Sequence, residues 1–348
     1  MSRWKVLAGM ALLAVAIPAG AVLVVQARGD VSGVLVRARP WPVGAALLLT
    51  AASYLFLSGS FAVLGRVFGV SLARRELFTV GFVSCALGYL TSAGGAAGYS
   101  LRVLVARRRG RPAENMLAAS MAHSVMNNLI LVLLVPAGGI LLLGSARLSV
   151  GWGVDGRGGV LFAGILAALA ALVSVRRVRL PLWRALQGTF AGGFLGRLWG
   201  EIRGGVALLR SRPRNALVPL ALSVADWGCS AGALWFCFDA LGYHLAPAVL
   251  LAGFVLGAVA GAASMVPGGL GVQEASMSAL FALLGVPLGK AVLAALLFRI
   301  VYYVLPFMVS LPLYRGLLRR EAVTRVPGGG YIIPAGEESY PKEEVSDP

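Results

Sequence analysis

Long apolar runs recur along this chain and constrain its fold more than any other feature. A helix of about 20 apolar residues crosses the roughly 30 Å hydrocarbon core of a bilayer. Only 13% of the residues are charged, against about a quarter in soluble domains, and no run has the alternating pattern of a membrane β-barrel strand. We predict an all-α polytopic membrane protein with about six complete spans, at 6–25, 43–64, 116–143, 159–175, 216–238 and 291–314.

The first run could be a cleavable signal or a first span. Arg3 and Lys5 precede it, as in a signal peptide. Its apolar core continues from Val6 to Val25, however, which exceeds the usual h-region of about 7–15 residues. We therefore interpret it as the first transmembrane helix.

Two further apolar regions, 77–105 and 246–286, are interrupted by Gly, Ser, Thr or Pro. We interpret each as a re-entrant hairpin, because broken backbone at membrane depth is tolerated where it is buried in protein or lines a wet cavity. The alternative is a pair of ordinary spans in each region. The hairpins and complete spans together give about eight membrane segments.

The two halves of the chain resemble each other weakly. "TSAGGAAGYSLRVL" aligns with "VPGGLGVQEASMSAL" at an offset of 174 residues, and "MLAASMAHSVMNN" with "VLAALLFRIVYYV" at 176, which places His123 opposite Arg299. We predict pseudo-repeat halves at about 41–145 and 216–314, each a span, a hairpin and a span. The charge pattern gives them opposite orientations, as in transporters whose site lies between broken helices.

Basic residues account for a net charge of +17, but their placement does not favour a nucleic-acid partner. They cluster in short segments beside apolar runs, as the positive-inside rule and anionic lipids require. The hairpin scheme puts the longest clusters and both termini in the cytoplasm. The clusters are Arg107–Arg109 with Arg111, Arg176–Arg179, Arg210–Arg214 and Arg315–Arg320.

Two segments differ from the rest of the predicted membrane domain, which covers 1–320. Apolar residues recur every three or four positions over 180–210 between arginines, which predicts an amphipathic helix along the cytoplasmic interface. The polar, Glu-rich tail at 321–348 is predicted to be disordered.

Neither cysteine nor histidine forms a metal-ligand pattern. Cys85, Cys229 and Cys237 lie in apolar stretches, and His123 and His244 are the only histidines. We expect buried free thiols, no metal site and no cofactor.

Glu274 is the leading candidate for a functional group. A carboxylate in hydrocarbon costs at least about 2.5–3.5 kcal/mol, and the partners available to it are Arg299 and Asp226. A Glu274–Arg299 pair could serve a lipid site, or could only tie the second hairpin to the last span.

The turn before Glu274 also has two interpretations. Pro267 ends a helix, and Gly268, Gly269 and Gly271 allow a tight reversal. Alternatively, the freed amides at the start of the next helix bind an anion such as a lipid phosphate.

Polar residues of the first half are the remaining candidates. Arg102 is predicted just after the first hairpin, and His123 lies opposite Arg299 in the repeat. Asn127 and Asn128 are expected to make interhelical hydrogen bonds. Tyr302 and Tyr303 are expected to be interface anchors.

The stretch "PGGLGVQEASMSALFALLGVP", followed by a helix containing "FR" and ending near "LPFMVSLPLY", resembles the lysylphosphatidylglycerol synthase transmembrane family, also grouped as flippase-like YbhN or UPF0104 proteins. The resemblance implies a bacterial inner-membrane protein that moves a phospholipid or a lipid-linked anion between leaflets. In that scheme Arg299 and the glycine amides meet the phosphate, Glu274 holds Arg299 or meets a cationic headgroup, and the hairpins rock. At Ala93 the first-half motif lacks the proline that would make the match closer.

Bifunctional members of that family continue into a soluble aminoacyl-transferase domain, whereas this sequence ends about 30 residues after its last span. We find no nucleophile–base pair or nucleotide loop, so we do not expect catalysis in this chain. An alternative is a membrane subunit of a lipid-modifying synthase or glycosyltransferase with a separate catalytic chain. A third possibility is a non-catalytic assembly scaffold.

Overall fold

The computed structural model describes residues 39–91, 96–147, 213–264 and 266–319, with two short pieces at 324–325 and 331–332. Within these residues the fold is helical apart from one antiparallel pair of two-residue strands, Thr324–Arg325 and Tyr331–Ile332. That pair lies in the tail predicted to be disordered. The predicted spans at 6–25 and 159–175 and the amphipathic helix at 180–210 fall outside the described residues.

The described helices follow one another in a repeated order: a long helix, two shorter helices, a long helix. The first set is α1 (Pro40–Val67), α2 (Arg74–Thr91), α3 (Ala96–Arg108) and α4 (Ala113–Arg147). The second set is α5 (Pro213–Ala240), α6 (Pro247–Ser264), a 3₁₀ turn (Pro267–Gly269), α7 (Val272–Leu283), α8 (Leu288–Arg299), a π turn (Ile300–Val304) and α9 (Leu305–Arg319).

Four helical stretches of the described part are long and apolar enough to cross a bilayer. Each coincides with one of the predicted spans, because an apolar run this long satisfies its backbone in lipid only as a helix. Large apolar side chains face outward on them, among them Leu48 (74% exposed) and Ile140 (69% exposed). The stretches are Pro40–Val67, Ala113–Leu141, Asn215–Ala240 and Leu288–Leu318.

Both broken regions form pairs of packed helices, α2 with α3 and α6 with α7. The second member of each pair is short: α3 has 13 residues and α7 has 12. At 1.5 Å per residue these helices are about 18–20 Å long, less than the roughly 30 Å of a hydrocarbon core. Neither helix is long enough to span a bilayer alone.

The first long helices of the two sets, α1 and α5, pack along their length and run antiparallel. The Arg39 amide donates to the Ala240 carbonyl oxygen at 3.0 Å, where α1 begins and α5 ends. Near the opposite end, the Ser60 hydroxyl donates to the Pro219 carbonyl oxygen at 3.0 Å. The fully buried rings of Phe238, Phe281 and Phe298 belong to the core that surrounds this pair.

One end of the bundle is strongly basic. The exposed arginines there lie at the end of α1, the start of α2, the end of α3 and the end of α9: Arg66, Arg74, Arg75, Arg107, Arg108, Arg111 and Arg315. Arg108 Nη1 and Arg109 Nη2 donate to the carbonyl oxygens of Leu318 and Leu317, at 3.0 and 3.2 Å. Cations there complement the negative end of the α9 helix dipole.

Arg109 should stabilise this end measurably. Its Nε lies 2.6 Å from Glu76 Oε1, and both side chains are mostly buried. We expect Arg109→Gln to lower the free energy of unfolding by about 2 kcal/mol, because it removes a charge-assisted hydrogen bond. Unfolding in mixed detergent–SDS micelles measures the loss. Arg107→Gln, at an exposed position on the same helix, should cost less than about 0.5 kcal/mol, and an equal loss in both variants would contradict the assignment.

Candidate functional site

A cavity of about 400 Å³ lies inside the bundle, where the two helix pairs meet α4, α5 and the π turn. Its wall is largely apolar, with Leu131, Phe254 and Phe298 among its members. A small set of polar groups interrupts that wall: Arg102, His123, Asn127, Asp226, Gln273 and Tyr302. An apolar cavity with a few convergent polar groups is typical of a ligand site.

Arg102 is the cation of the cavity wall. It lies within α3 rather than just after the hairpin, and it is only 5% exposed. Its Nε donates to Ser84 Oγ at 2.7 Å, its Nη2 contacts Cys85 Sγ at 3.3 Å, and its guanidinium lies 4.0 Å from the centre of the Phe61 ring. Among the described residues no carboxylate pairs with it, so its charge is not neutralised by a described side chain.

Asp226, on α5, is 3% exposed and lines the same cavity. The sequence offered it as a partner of Glu274, but its neighbours are hydroxyl groups instead. Ser53 Oγ donates to its Oδ1, and Tyr302 OH lies 3.4 Å from the same oxygen. The antiparallel packing of α1 against α5 brings Ser53 to Asp226, whereas Glu274 pairs with Arg299.

His123, on α4, is 5% exposed and also lines the cavity. Its ring packs edge-on against Phe61, and it hydrogen-bonds the backbone of Leu57. Its Nε2 is buried without a hydrogen-bond partner among the described residues. Within the described part of the chain, no three His, Cys, Asp or Glu side chains come together to hold a metal ion.

Glu274 and Arg299 pair with each other beside the glycine-rich turn. Arg299 Nη1 lies 3.0 Å from Glu274 Oε1, with side chains 8% and 16% exposed. That contact has ion-pair distance without hydrogen-bond alignment, since Nη1 has no hydrogen-bond partner. Arg299 Nη2 donates to the Gly268 carbonyl oxygen at 2.6 Å, and its guanidinium lies 4.5 Å from the Tyr303 ring centre.

The glycine-rich turn begins at Pro267, and two of its amides donate hydrogen bonds to acceptors just before the turn and at the start of α7. The Gly269 amide donates to the Val266 carbonyl oxygen and the Gly271 amide to Glu274 Oε2, each at 2.8 Å. These two amides already have acceptors, so the turn offers an anion fewer free hydrogen-bond donors than the sequence indicated. Glu274 closes the first turn of α7 as in a capping box.

Gly268 is where the two helix pairs touch. Its φ is +61°, a conformation that favours glycine. A Cβ placed there would lie 2.7 Å from the Leu90 carbonyl oxygen and 2.8 Å from that of Tyr89, at the end of α2. Only glycine lets the tip of the second pair approach the first this closely.

Several groups at the cavity were missed or misread from the sequence. Tyr302, expected to be an interface anchor, is 5% exposed, and its hydroxyl lies 2.8 Å from Ser53 Oγ. The π turn adds a residue to one helical turn and so directs Tyr302 and Tyr303 towards the cavity. Asn127 accepts an interhelical hydrogen bond from Trp227 Nε1 at 2.8 Å, as expected. One sequence signal could have pointed to the hydroxyl groups of the cavity: Ser53 is a hydroxyl residue within an apolar span.

Helices with outward apolar faces, around a largely apolar cavity that contains a few polar groups, define a polytopic helical membrane protein. The chain matches the lysylphosphatidylglycerol synthase TM region over residues 7–310. Because this match covers most of the sequence, the chain belongs to that family.

Two relatives illustrate the range of the family. The chain is 27% identical over 269 residues to the inner membrane protein YbhN of Escherichia coli K12, which covers 76% of this chain and 77% of YbhN. It is 32% identical over 130 residues to the phosphatidylglycerol lysyltransferase of Staphylococcus aureus MRSA252. That match covers 36% of this chain and 16% of the lysyltransferase, so the matched part is a small share of this relative's length.

Proposed function

We propose that this protein moves an anionic phospholipid, or another lipid-linked anion, between the leaflets of a bacterial inner membrane. The observation that carries the proposal is Arg102, a buried arginine on the wall of the cavity with no acidic partner among the described residues. An unpaired charge inside a membrane protein is costly and marks a substrate path or a site. A phosphate group would neutralise it and complete its hydrogen bonds.

The architecture supports a mechanism of alternating access. The antiparallel α1 and α5 would be equivalent helices of an inverted repeat, with halves at about 41–145 and 216–314 in a membrane domain over 1–320. Each helix pair would then re-enter the membrane from an opposite face, with their tips meeting at Gly268. Such folds rock one repeat against the other around a central site. The basic end would face the cytoplasm, together with both termini.

Residue roles follow from this geometry. Arg102 would bind the phosphate, with His123 beside it, while the acyl chains stay in lipid. Arg299 and Glu274 would hold the turn of Pro267, Gly268, Gly269 and Gly271 against α2, because Arg299 already has a carboxylate and a carbonyl as partners. We therefore propose an anion site at Arg102, in the first half of the chain, instead of at the glycine-rich turn in the second half, which was the leading candidate from the sequence.

The names of the relatives guide the choice of lipid. YbhN is described as an inner membrane protein, and the lysyltransferase is named for phosphatidylglycerol. Phosphatidylglycerol is an anion whose phosphate suits a lone arginine. We therefore take it as the first substrate to test, and anionic lipids as the surrounding partners of the basic end.

Leaflet exchange in proteoliposomes tests the proposal. Fluorescent phosphatidylglycerol in the inner leaflet becomes reducible by external dithionite only after it crosses. We expect Arg102→Gln to slow this exchange at least ~10-fold, because losing one member of a buried charge contact costs about 2–5 kcal/mol, and Arg102→Lys to lie between it and the wild type. Arg107→Gln, exposed on the same helix, is the control.

Two results would contradict the proposal. The first is wild-type exchange no faster than in protein-free vesicles. The second is equal exchange by wild type and Arg102→Gln when both are folded. Either result favours the alternative, in which the chain is the membrane subunit of a lipid-modifying transferase.

A further inference from the structure

The cavity contains two buried groups of opposite charge that do not neutralise each other. Arg102 on α3 and Asp226 on α5 are 5% and 3% exposed. Among the described residues neither has an ion-pair partner, and the two do not form a salt bridge with each other. Opposite charges in a low-dielectric space normally pair. Their separation suggests that each group meets something that enters the cavity.

Few groups near Asp226 can exchange a proton close to neutral pH. His123 is the single histidine among them, and the others are tyrosines, cysteines and arginines, which ordinarily titrate above pH 8. α6 contributes no titratable side chain. The titratable groups that interact with Asp226 are Tyr54 from α1, Cys85 and Tyr89 from α2, Cys229 from α5, and Tyr302 and Tyr303 from the π turn. Arg102 from α3 and His123 from α4 line the same cavity, and Arg299 from α8 interacts with Tyr54 and Tyr303.

We propose that Asp226 is a coupling site, whose affinity for a proton rises when an anionic headgroup occupies Arg102. This inference rests on the proposed function and adds the energy source to it. In the empty cavity, Arg102 and an ionised Asp226 sum to zero charge. A bound phosphate monoanion leaves one excess negative charge, and a proton on Asp226 cancels it. The summed charge of these groups is then zero both in the empty cavity and in the cavity with a bound phosphate and a protonated Asp226.

Charge balance of this kind makes the two binding events mutually dependent. A negative charge brought within about 10 Å of Asp226, at an effective dielectric constant of about 20, favours the protonated carboxyl by roughly 10-fold. By linkage, protonation of Asp226 strengthens lipid binding by the same factor. A proton gradient across the membrane could then drive the lipid in the direction of proton flow.

The hydroxyls beside Asp226 suit a group that gains and loses a proton. The proton passes from water in the cavity to a carboxylate oxygen of Asp226 and returns to water on release. Ser53 Oγ and Tyr302 OH lie 2.8 Å apart, and either one can be the donor. Their hydrogen bond can therefore reverse when Asp226 changes from acceptor to donor.

Proton uptake on lipid binding tests the coupling directly. The full chain in detergent is titrated with dihexanoyl phosphatidylglycerol in weakly buffered solution containing a pH indicator, from about pH 6 to about pH 9. We expect uptake to peak at about half a proton per bound lipid in the middle of the titration range of Asp226, because a 10-fold coupling separates the titrations of the empty and the lipid-bound protein by about one pH unit. Asp226→Asn should abolish uptake and make lipid binding nearly independent of pH, whereas Asp226→Glu should keep both.

Asp239→Asn is the matched control, because Asp239 is a second buried carboxylate on α5, paired with His244 away from the cavity. The Asp239→Asn variant should take up protons on lipid binding as the wild type does. His123 lies beside the proposed phosphate site, so its variant is judged per bound lipid: a His123→Gln protein that binds the lipid without proton uptake would overturn the assignment to Asp226. A lipid affinity that follows sodium concentration rather than pH would overturn it as well.

The two levels of the hypothesis fail in different ways. No binding of the lipid at any pH, and no exchange in proteoliposomes, would contradict the proposed function itself. Binding without proton uptake, or with equal uptake in Asp226→Asn, would leave the proposed function standing and overturn the coupling site. With coupling, an inward proton gradient should accelerate inward movement of fluorescent phosphatidylglycerol in the wild type and not in Asp226→Asn.

Discussion

Replacing Glu274 with glutamine should lower the free energy of unfolding by about 3 kcal/mol. The change keeps an oxygen that can accept from the Gly271 amide, so the start of α7 stays capped. It removes the only described carboxylate beside Arg299, whose side chain is 8% exposed. Breaking a buried pair by removing one partner costs about 3–5 kcal/mol, because the remaining charge is uncompensated. The partial exposure of Glu274 puts the expected loss at the lower end.

A double-mutant cycle separates pairing from packing. Arg299→Met removes the cation, and the double variant should lose about 2 kcal/mol less than the sum of the single losses. Glu76→Gln is the matched control, since the side chains of Glu76 and Glu274 are both 16% exposed. It breaks the pair with Arg109 at the basic end, so its loss should match the loss of about 2 kcal/mol expected for Arg109→Gln. Additive losses in the cycle would show that the pair contributes no coupling energy.

Replacing Gly257 with leucine should destabilise the protein by about 3 kcal/mol. Three glycines of α6, spaced four residues apart, face three side chains of α7: Gly253 faces Phe281, Gly257 faces Met277 and Gly261 faces Gln273. A Cβ at Gly257 would overlap the Met277 side chain. Small residues at this spacing let two membrane helices approach closely, and overpacking such a contact costs about 1–3 kcal/mol or more.

The same substitution should also disturb the cavity, because Gly261 and Gln273 line it. Gly228→Leu is the control, since a Cβ there meets nothing within 4 Å and the position is exposed. It should be neutral or stabilise by up to about 1 kcal/mol, as leucine favours helix over glycine. Unfolding in mixed micelles and lipid exchange measure both effects. Met277→Ala should rescue Gly257→Leu in part, and equal losses at Gly257 and Gly228 would contradict this packing.

Much of the fold could be predicted because lipid leaves few choices to an apolar run. The four long helical stretches follow directly from run length. The breaks after α2 and α6 were also visible, since Gly, Ser and Pro interrupt otherwise apolar segments. Helix pairing could not be predicted, because an apolar face packs equally well against another helix or against lipid.

The candidate site was predicted less well. Glu274 and Arg299 were correctly paired, since two opposite charges at comparable depth have strong reason to meet. Arg102 was predicted just after the hairpin but lies within α3, and Tyr302 was taken as an interface anchor but lines the cavity. The first error concerns where the second helix of the pair ends. The second concerns direction, since sequence spacing does not show which way a side chain points in a π turn.

The sequence by itself determined that this chain is a helical membrane protein of a known family, with two broken segments and a pair of charges between them. Those properties depend on local composition and on the absence of water in the bilayer core. Only the tertiary structure decided which charges are neutralised and which are not. The antiparallel packing of α1 against α5 surrounds Asp226 with hydroxyls, and the meeting of the helix pairs leaves Arg102 on a cavity wall, because long-range contacts and not chain spacing set the distance between buried groups.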